Sequence, residues 1–517
     1  MFALHDRFGS ALLGGYARPL ATFARTEASG LALPRSGIAS GARLDATGGQ
    51  WQKARMLSAL LVAAALSPAV QAFVKIDKPV VAITRVRVID GTGGPPREDQ
   101  TVVISGGKIA ALGPSASTPV PQGALVLQRE GGTVLPGLVG MHDHLFYPAG
   151  GAIFHSMPRS FPRLYLATGV TTIRTTGSIE PYTDLEVKKE IDAGKQPGPR
   201  VHVTGPYLEG KGTFTPQMHE IRDPDDARRT VEFWAEQGAT SFKAYNFLTR
   251  AELGAAIQAA HARGIKVTGH LCSIGFREAA ALGIDDLEHG LVVDTEFFSG
   301  KKPDECPTPR LAYIELSRME VGSPQVQQLI AELVKRKVAI TSTLPVFELF
   351  DPGRMTQPRA LEAMSPDARA LYLQNQLRNA QPAKDAADWK KLLQLEMQFE
   401  RAFAAAGGTL LAGCDPTGNG GVLAGYGDQR GVELLVEAGF TPVEAIRIAT
   451  MNGAQFLGEA ERIGSIAPGK LADVVLVEGD PSKRIADIEK VEVVFKDGVG
   501  YDPGKLIDSV RGTVGLR

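Results

Sequence analysis

With 517 residues, 44% hydrophobic and 22% charged, the chain is long enough for one large domain plus a smaller one. A formal net charge of -1 at pH 7 removes the strongly basic face that nucleic acid or anionic lipid would select. Three widely spaced cysteines, Cys272, Cys306 and Cys414, show no zinc-finger spacing and, being odd in number, cannot form a closed disulfide framework. Any metal chemistry therefore falls to histidines and carboxylates.

In chain order, Lys53 and Arg55 precede an apolar run from Met56 to Leu66, followed by SPAVQAF. Val70 and Ala72 flank Gln71 as small residues. Basic flank, short apolar run and small-x-small site follow the order of a secretory signal peptide, with cleavage expected after Ala72. The run falls short of the roughly 20 apolar residues that span a bilayer, so no stable membrane anchoring is expected. Residues 1–72 are assigned to a leader and signal peptide, and the mature protein is expected to be secreted or periplasmic.

From residue 73 to 135 the pattern is β: VVAITRVRVID, then TVVISGGKIAALG as a hairpin turning at Gly106-Gly107, then ALVLQREGGTVLPG. Similar signals return in residues 459–517, in ADVVLVEGDP and VEVVFKDGVGY. These two segments are expected to form one small β-sandwich. Between them, residues 136–458 alternate short apolar strands with amphipathic helices. The strand candidates are GLVGMHDHL, VTTIRTTG, RVHVTG, TSFKAY, KVTGHL, DDLEHG, VAITSTL and TLLAGCD. Thr249 and Glu252 make a capping-box pattern ahead of the helix that follows the fourth. Eight strands alternating with helices imply an α/β fold of the (β/α)8 TIM barrel type. Two long connections, about 291–322 and 345–384, are expected at its C-terminal face.

That face carries the ligand-type residues. His142 and His144, two apart at the end of the first strand, should point the same way. Lys243 ends the fourth strand, His270 the fifth, His289 the sixth and Asp415 the eighth. An isolated HxH is weak evidence, but six such residues on five strand ends of a barrel mark an active site. Neutral imidazole and carboxylate suit Zn²⁺ and its neighbours. Lys243 needs separate treatment, because an ammonium cannot bind a cation. Its neutral amine can take up carbon dioxide as an anionic carbamate, although the usual lysine pKa of about 10.4 keeps that form scarce. Nearby metal charge favours the carbamate. The other reading of Lys243 is a salt bridge within the barrel.

PGLVGMHDHL, FKAY, VTGHL, LEHG and GCDPTG, in this order, resemble the amidohydrolase superfamily. So does the tail ATMNGAQFLG…IGSIAPGKLADVVLVEGDP, and the resemblance runs from about 80 to 500. The lysine on the fourth strand is similar to the binuclear branch, with its prolidase-like, carboxypeptidase-like and ochratoxin-degrading members. The resemblance implies two divalent cations, zinc being favoured. His142, His144 and Asp415 would hold the more buried one, His270 and His289 the other, and carboxylated Lys243 would bridge them. Deaminases of the superfamily have HxxE after the fifth strand; here Ser273 stands at that glutamate position, which weakens the deaminase reading.

The implied activity is hydrolysis of C–N bonds in peptide-like or N-acyl amino-acid substrates by a metal-bridging hydroxide, with Asp415 shuttling the proton. Tyr245, two residues after Lys243, is either a hydrogen-bond donor to substrate or a core tyrosine. His155 and His219, in loops after the first and third strands, are either substrate contacts or surface histidines. Arg174 is a buried ion-pair partner or a carboxylate clamp. Glu288 is expected to support the barrel wall, facing away from His289, and Cys414 to point away from the metals. His202 is expected to be structural and His261 exposed. An esterase, lactonase or phosphotriesterase on the same site, and a non-catalytic barrel scaffold, are the alternatives. The expected partner is a small-molecule substrate, with a homo-oligomer left open.

Overall fold

The computed structural model describes residues 66–351, 353–354, 358–380, 387–417 and 420–516. Most of the signal-type run lies outside the described residues. From Leu66 onward the chain packs: the Ser67 N–H bonds to the Gly194 carbonyl at 2.9 Å, and the short helix Pro68–Gln71 buries Val70.

Both ends of the chain build one sheet. Val80–Val88 pairs antiparallel with Arg97–Ser105, which pairs with Lys108–Pro114. Gly106 and Gly107 turn that second pair at φ +58° and +76°, a hairpin geometry that needs residues free of a Cβ penalty. Val80–Val88 also runs parallel to Gly132–Pro136, and this strand meets Val474–Glu478 antiparallel, Leu135 opposite Val475. The order continues through Val491–Lys496 and Val499–Tyr501 to Val74–Ile76. Where the sequence suggests a sandwich, the strands thus form a single nine-stranded sheet. Its buried face carries Val81, Ile83, Val102, Val134, Val474 and Leu476, the β-branched-rich set that favours a half-covered pleated surface.

All eight expected parallel strands are present. They fall into two sheets. Leu138–Gly140, Val170–Arg174 and Arg200–His202 form one; Ser241–Ala244, Lys266–Gly269, Asp286–Glu288, Ala339–Ser342 and Leu410–Ala412 form the other. A parallel bridge between Thr204 and Ser241 links the sheets at one seam. At the other, the Met141 N–H donates to the Ala412 carbonyl at 2.8 Å and the Asp415 N–H to the His142 carbonyl at 2.8 Å. The strands are buried along nearly their whole length, as parallel strands covered by helices must be. Helices such as Pro224–Gln237, Arg250–His261 and Pro324–Arg336 connect successive strands along the chain. The capping box of Arg250–His261 forms as expected, with Thr249 and Glu252 exchanging backbone-to-side-chain bonds of 2.8 and 3.3 Å.

The odd cysteine count leaves one thiol over. Cys272 and Cys306 form a disulfide across 34 residues, tying the loop after the fifth strand to the long connection after the sixth. Strand adjacency brings together residues whose sequence spacing showed no relation. Cys414 stays free and buried.

Candidate metal centre

The six ligand-type side chains converge at the C-terminal ends of the parallel strands. The Lys243 Nζ lies 3.3 Å from His142 Nε2. Asp415 Oδ1 lies 3.3 Å from His144 Nε2 and 3.8 Å from His142 Nε2, and its Oδ2 lies 4.0 Å from His289 Nδ1. The rings of His142 and His289 are 4.5 Å apart, and those of His270 and His289 4.4 Å. One donor atom from each of His142, His289 and Asp415 lies within 4.8 Å of the other two. All six side chains are buried or nearly so.

Burial sets their protonation. It holds His142 well below its usual range, assisted by Lys243 beside it. It likewise lowers His144 and His289, and His270 to about 3. All four imidazoles are therefore neutral at pH 7 with a lone pair available, the form a cation needs. Burial brings Lys243 down to about 8, so its neutral amine is within reach. Burial acts upward on Asp415, but His142, His144 and the Thr417 hydroxyl outweigh it and hold the carboxylate well below its usual range.

The imidazoles are oriented by partners behind them. His142 Nδ1 meets Glu288 Oε2 at 2.7 Å, His144 Nδ1 the Gly177 carbonyl at 3.3 Å, and His289 Nδ1 the Thr343 hydroxyl at 2.7 Å. Such bonds fix ring orientation and tautomer. The Glu288 expectation fails for a backbone reason. His289 lies just beyond its strand at φ +71°, a left-handed conformation, so strict alternation stops there and Glu288 and His289 both serve the centre. Arg174 resolves as an ion-pair residue: its guanidinium reaches Glu288 Oε1 at 2.9 Å and Asp286 Oδ2 at 3.0 Å, fully buried. Burial and the neighbouring Glu288 push Asp286 up to about 7.

Tyr245 is buried beside the centre, its ring 5.1 Å from that of His270. His155 and His219 are not brought into the cluster. His155 pairs with Tyr147 across the hairpin of Phe146–Gly150 and Ile153–Ser156, on the face opposite Phe146 and Phe154. His219 is exposed, 3.4 Å from Asp226 Oδ2. Cys414 points away as expected, its sulfur 3.3 Å from Asp143 Oδ1. His261 is partly exposed and bonds Asp285 at 2.9 Å, and His202, half-buried, is lowered to about 4 by burial. Sequence reasoning missed the roles of Glu288, Thr343 and Thr417, which carry no spacing signal of their own.

With this geometry in place, likeness to known proteins becomes informative. A family model described as "Amidohydrolase family" matches residues 400–500. The match is to the amidohydrolase family. An adenine deaminase from Jannaschia sp. (strain CCS1) is 37% identical over 78 residues, 15% of this chain and only 12% of that protein, so the likeness spans about an eighth of the curated relative. A solved Xaa-Pro dipeptidase with bound methionine in its active site covers 82% of this chain and 100% of its own, at 20% identity and TM-score 0.60. The A. niger ochratoxinase covers 85% of this chain and 100% of its own, at 20% identity and TM-score 0.59. These likenesses show a shared TIM-barrel-type fold, and with the family-model match they are consistent with the amidohydrolase superfamily. The amidohydrolase match includes Asp415, and the remaining donors come from strands that precede it.

Proposed function

We propose that this amidohydrolase-like protein is a metal-dependent hydrolase of amide C–N bonds in peptide-like or N-acyl amino-acid substrates. The observation that carries the reading is the convergence of four neutral imidazoles, an acidic carboxylate and a lysine of depressed pKa on one buried spot. This donor set fits divalent cations: His142, His144 and Asp415 would hold one, His270 and His289 a second, with zinc favoured. Lys243 would complete the set as a carbamate: its neutral amine forms an N–C bond to carbon dioxide and releases one proton. When bound, the cations supply Lewis acidity and a water that ionises near neutral pH.

The residues of the chain do the rest. Asp415 Oδ1 accepts from the Thr417 hydroxyl at 2.6 Å and lies 3.3 Å from His144 Nε2, the side on which a shared cation would sit. Its Oδ2 is left to accept the proton of the attacking water and return it to the leaving nitrogen. Tyr245, on the His270 side, would donate its hydroxyl hydrogen to the substrate carbonyl or carboxylate. Ser273 speaks against deamination: it is buried, and its hydroxyl donates to the Leu248 carbonyl, so the position offers no carboxyl group to relay protons. Likeness to a dipeptidase and to ochratoxinase supports amide cleavage; the deaminase likeness covers only a short segment. We also propose export to an oxidising compartment, supported by the signal-type segment and the Cys272–Cys306 disulfide.

The test is elemental analysis of the purified protein joined to a panel of dipeptides, N-acyl amino acids, lactones and phosphotriesters. Bound divalent metal and turnover of the amides are expected. Asp415→Asn should fold normally yet lose turnover by about 10²-fold or more, as loss of a general base does. Unchanged turnover would remove Asp415 from the reaction.

A further inference from the structure

One side of the donor cluster is walled by aromatic rings. Phe146, Phe154, Tyr207 and Tyr245 are buried and pack as a unit separate from the main core of the barrel, with Phe214 and Met218 half-buried against them. The unit touches the ligands: the Phe146 ring is 4.4 Å from that of His144, and Tyr245 is 5.1 Å from His270. Within it, Phe146 and Phe154 meet edge to face at 5.3 Å, and Tyr207 lies 4.8 Å from Tyr245.

The wall is assembled from separate loops and held in place. Phe146 and Phe154 come from the hairpin after the first parallel strand, and Tyr207, Phe214 and Met218 from the segment after the third. Gln217 clamps the two together: its side-chain oxygen accepts from the Phe154 N–H at 2.7 Å, and its amide donates to the Phe154 carbonyl at 3.0 Å. A cleft of about 350 Å³ shares Tyr207 and Met218 with the wall and is lined further by Pro206, Trp234, His219 and Arg229. Tyr207 belongs to both, since its ring is also 6.3 Å from that of His144. That volume lies within the range of small-molecule sites, and aromatic walls favour apolar groups whose burial is worth most.

We infer that the wall and cleft form a subsite for a large apolar group. The preferred substrates of the centre are then amides carrying an aromatic or long aliphatic group, with the scissile bond at the donors and that group lying along Tyr207, Phe214 and Met218. This rests on the hydrolase reading above and narrows it to a substrate class.

Two matched pairs test it on the metal-loaded protein. N-acetylglycine against N-phenylacetylglycine varies the acyl side, and N-acetylglycine against N-acetylphenylalanine the amine side. In at least one pair the bulky member should show a kcat/KM about tenfold or more higher, the scale a hydrophobic pocket supplies. Phe214→Ala and Met218→Ser, at half-buried positions, should lower that ratio about tenfold. Calorimetric binding of the preferred bulky compound to the Asp415→Asn protein should weaken about tenfold when Phe214→Ala is added. Equal kcat/KM within both pairs, or a ratio and affinity untouched by Phe214→Ala, would overturn the subsite. Failure to cleave any of the three compounds, with bulky-compound binding still dependent on Phe214, would instead overturn the hydrolase reading and leave the subsite standing.

Discussion

At the scale of single residues, the centre depends on side chains adopting conformations that regular strands do not supply. Two candidate ligands, His289 and Asp415, sit at φ +71° and +49°, a region non-glycine residues enter at a cost of order 1–3 kcal/mol and that clusters at functional sites. The gathering of these side chains was legible in the sequence, because strand-end placement is a pattern of position and residue type. Their orientation was not, because alternation fails once the backbone turns left-handed. Glu288 is the clearest case: it grips His142 Nδ1 at 2.7 Å and is itself gripped by Arg174. Glu288→Gln keeps the volume but removes the charged acceptor behind His142. It should weaken metal affinity about 10- to 100-fold, the usual effect of losing a carboxylate behind a ligating imidazole. Chelator competition measures this; an unaltered metal affinity in a folded variant would reduce Glu288 to a wall residue.

At the scale of elements, the helix Trp389–Ala405 does more than cover the barrel. It carries Glu396 and Glu400 one turn apart, both fully buried. Glu396 Oε2 accepts from the Val292 N–H at 2.8 Å, bracing the turn Gly290–Val293 directly behind His289. Gly290, at φ +70°, leaves no room for a side chain there: a Cβ would lie 1.8 Å from the Glu396 carboxyl. Nothing in the sequence marked acids on the inner face of this helix, since inward carboxylates oppose the pattern by which amphipathic helices are recognised. Their burial has a pH signature. Burial raises Glu400 from 4.5 to about 8 and Glu396 in the same direction, with Glu400 adding repulsion on Glu396. The folded state therefore keeps a proton that the unfolded chain releases. This contribution to stability is complete below pH 4.5 and is lost as pH rises through 8, at no more than about 1.4 kcal/mol per pH unit for each acid. Glu400→Gln, neutral throughout, should flatten the decline of unfolding free energy between pH 5 and 8. Parallel pH profiles for variant and parent, from denaturant titration, would contradict the buried-acid account.

At the scale of the whole molecule, the question is how a sheet built from both chain ends is joined to the barrel. Alternation and turn residues revealed the strands of that sheet, yet not its single-layer order, which depends on pairings more than 300 residues apart such as Leu135 with Val475. The junction is specific. Arg200, at the start of the third parallel strand, reaches Asp473 Oδ2 at 2.8 Å and Asp497 Oδ1 at 2.7 Å, the first immediately before and the second immediately after strands of the terminal sheet. It also bonds the Thr172 hydroxyl at 3.1 Å on the neighbouring parallel strand. Asp473 is buried and its backbone carbonyl accepts from the Gly137 N–H at 3.0 Å, so the contact ties the entry of the first parallel strand to the same point. A pair this enclosed differs from a surface salt bridge: removing the cation strands a buried carboxylate without its partner, at a cost of about 3–5 kcal/mol. Arg200→Met, which retains much of the side-chain volume, should therefore destabilise the protein by about 3 kcal/mol, discounted slightly for the partial exposure of Asp497. Because the junction binds both parts, the loss should appear as one earlier transition in calorimetry rather than as separate melting of the terminal sheet. A change below about 0.5 kcal/mol, the range of surface substitutions, would show that the two parts are held by apolar packing alone.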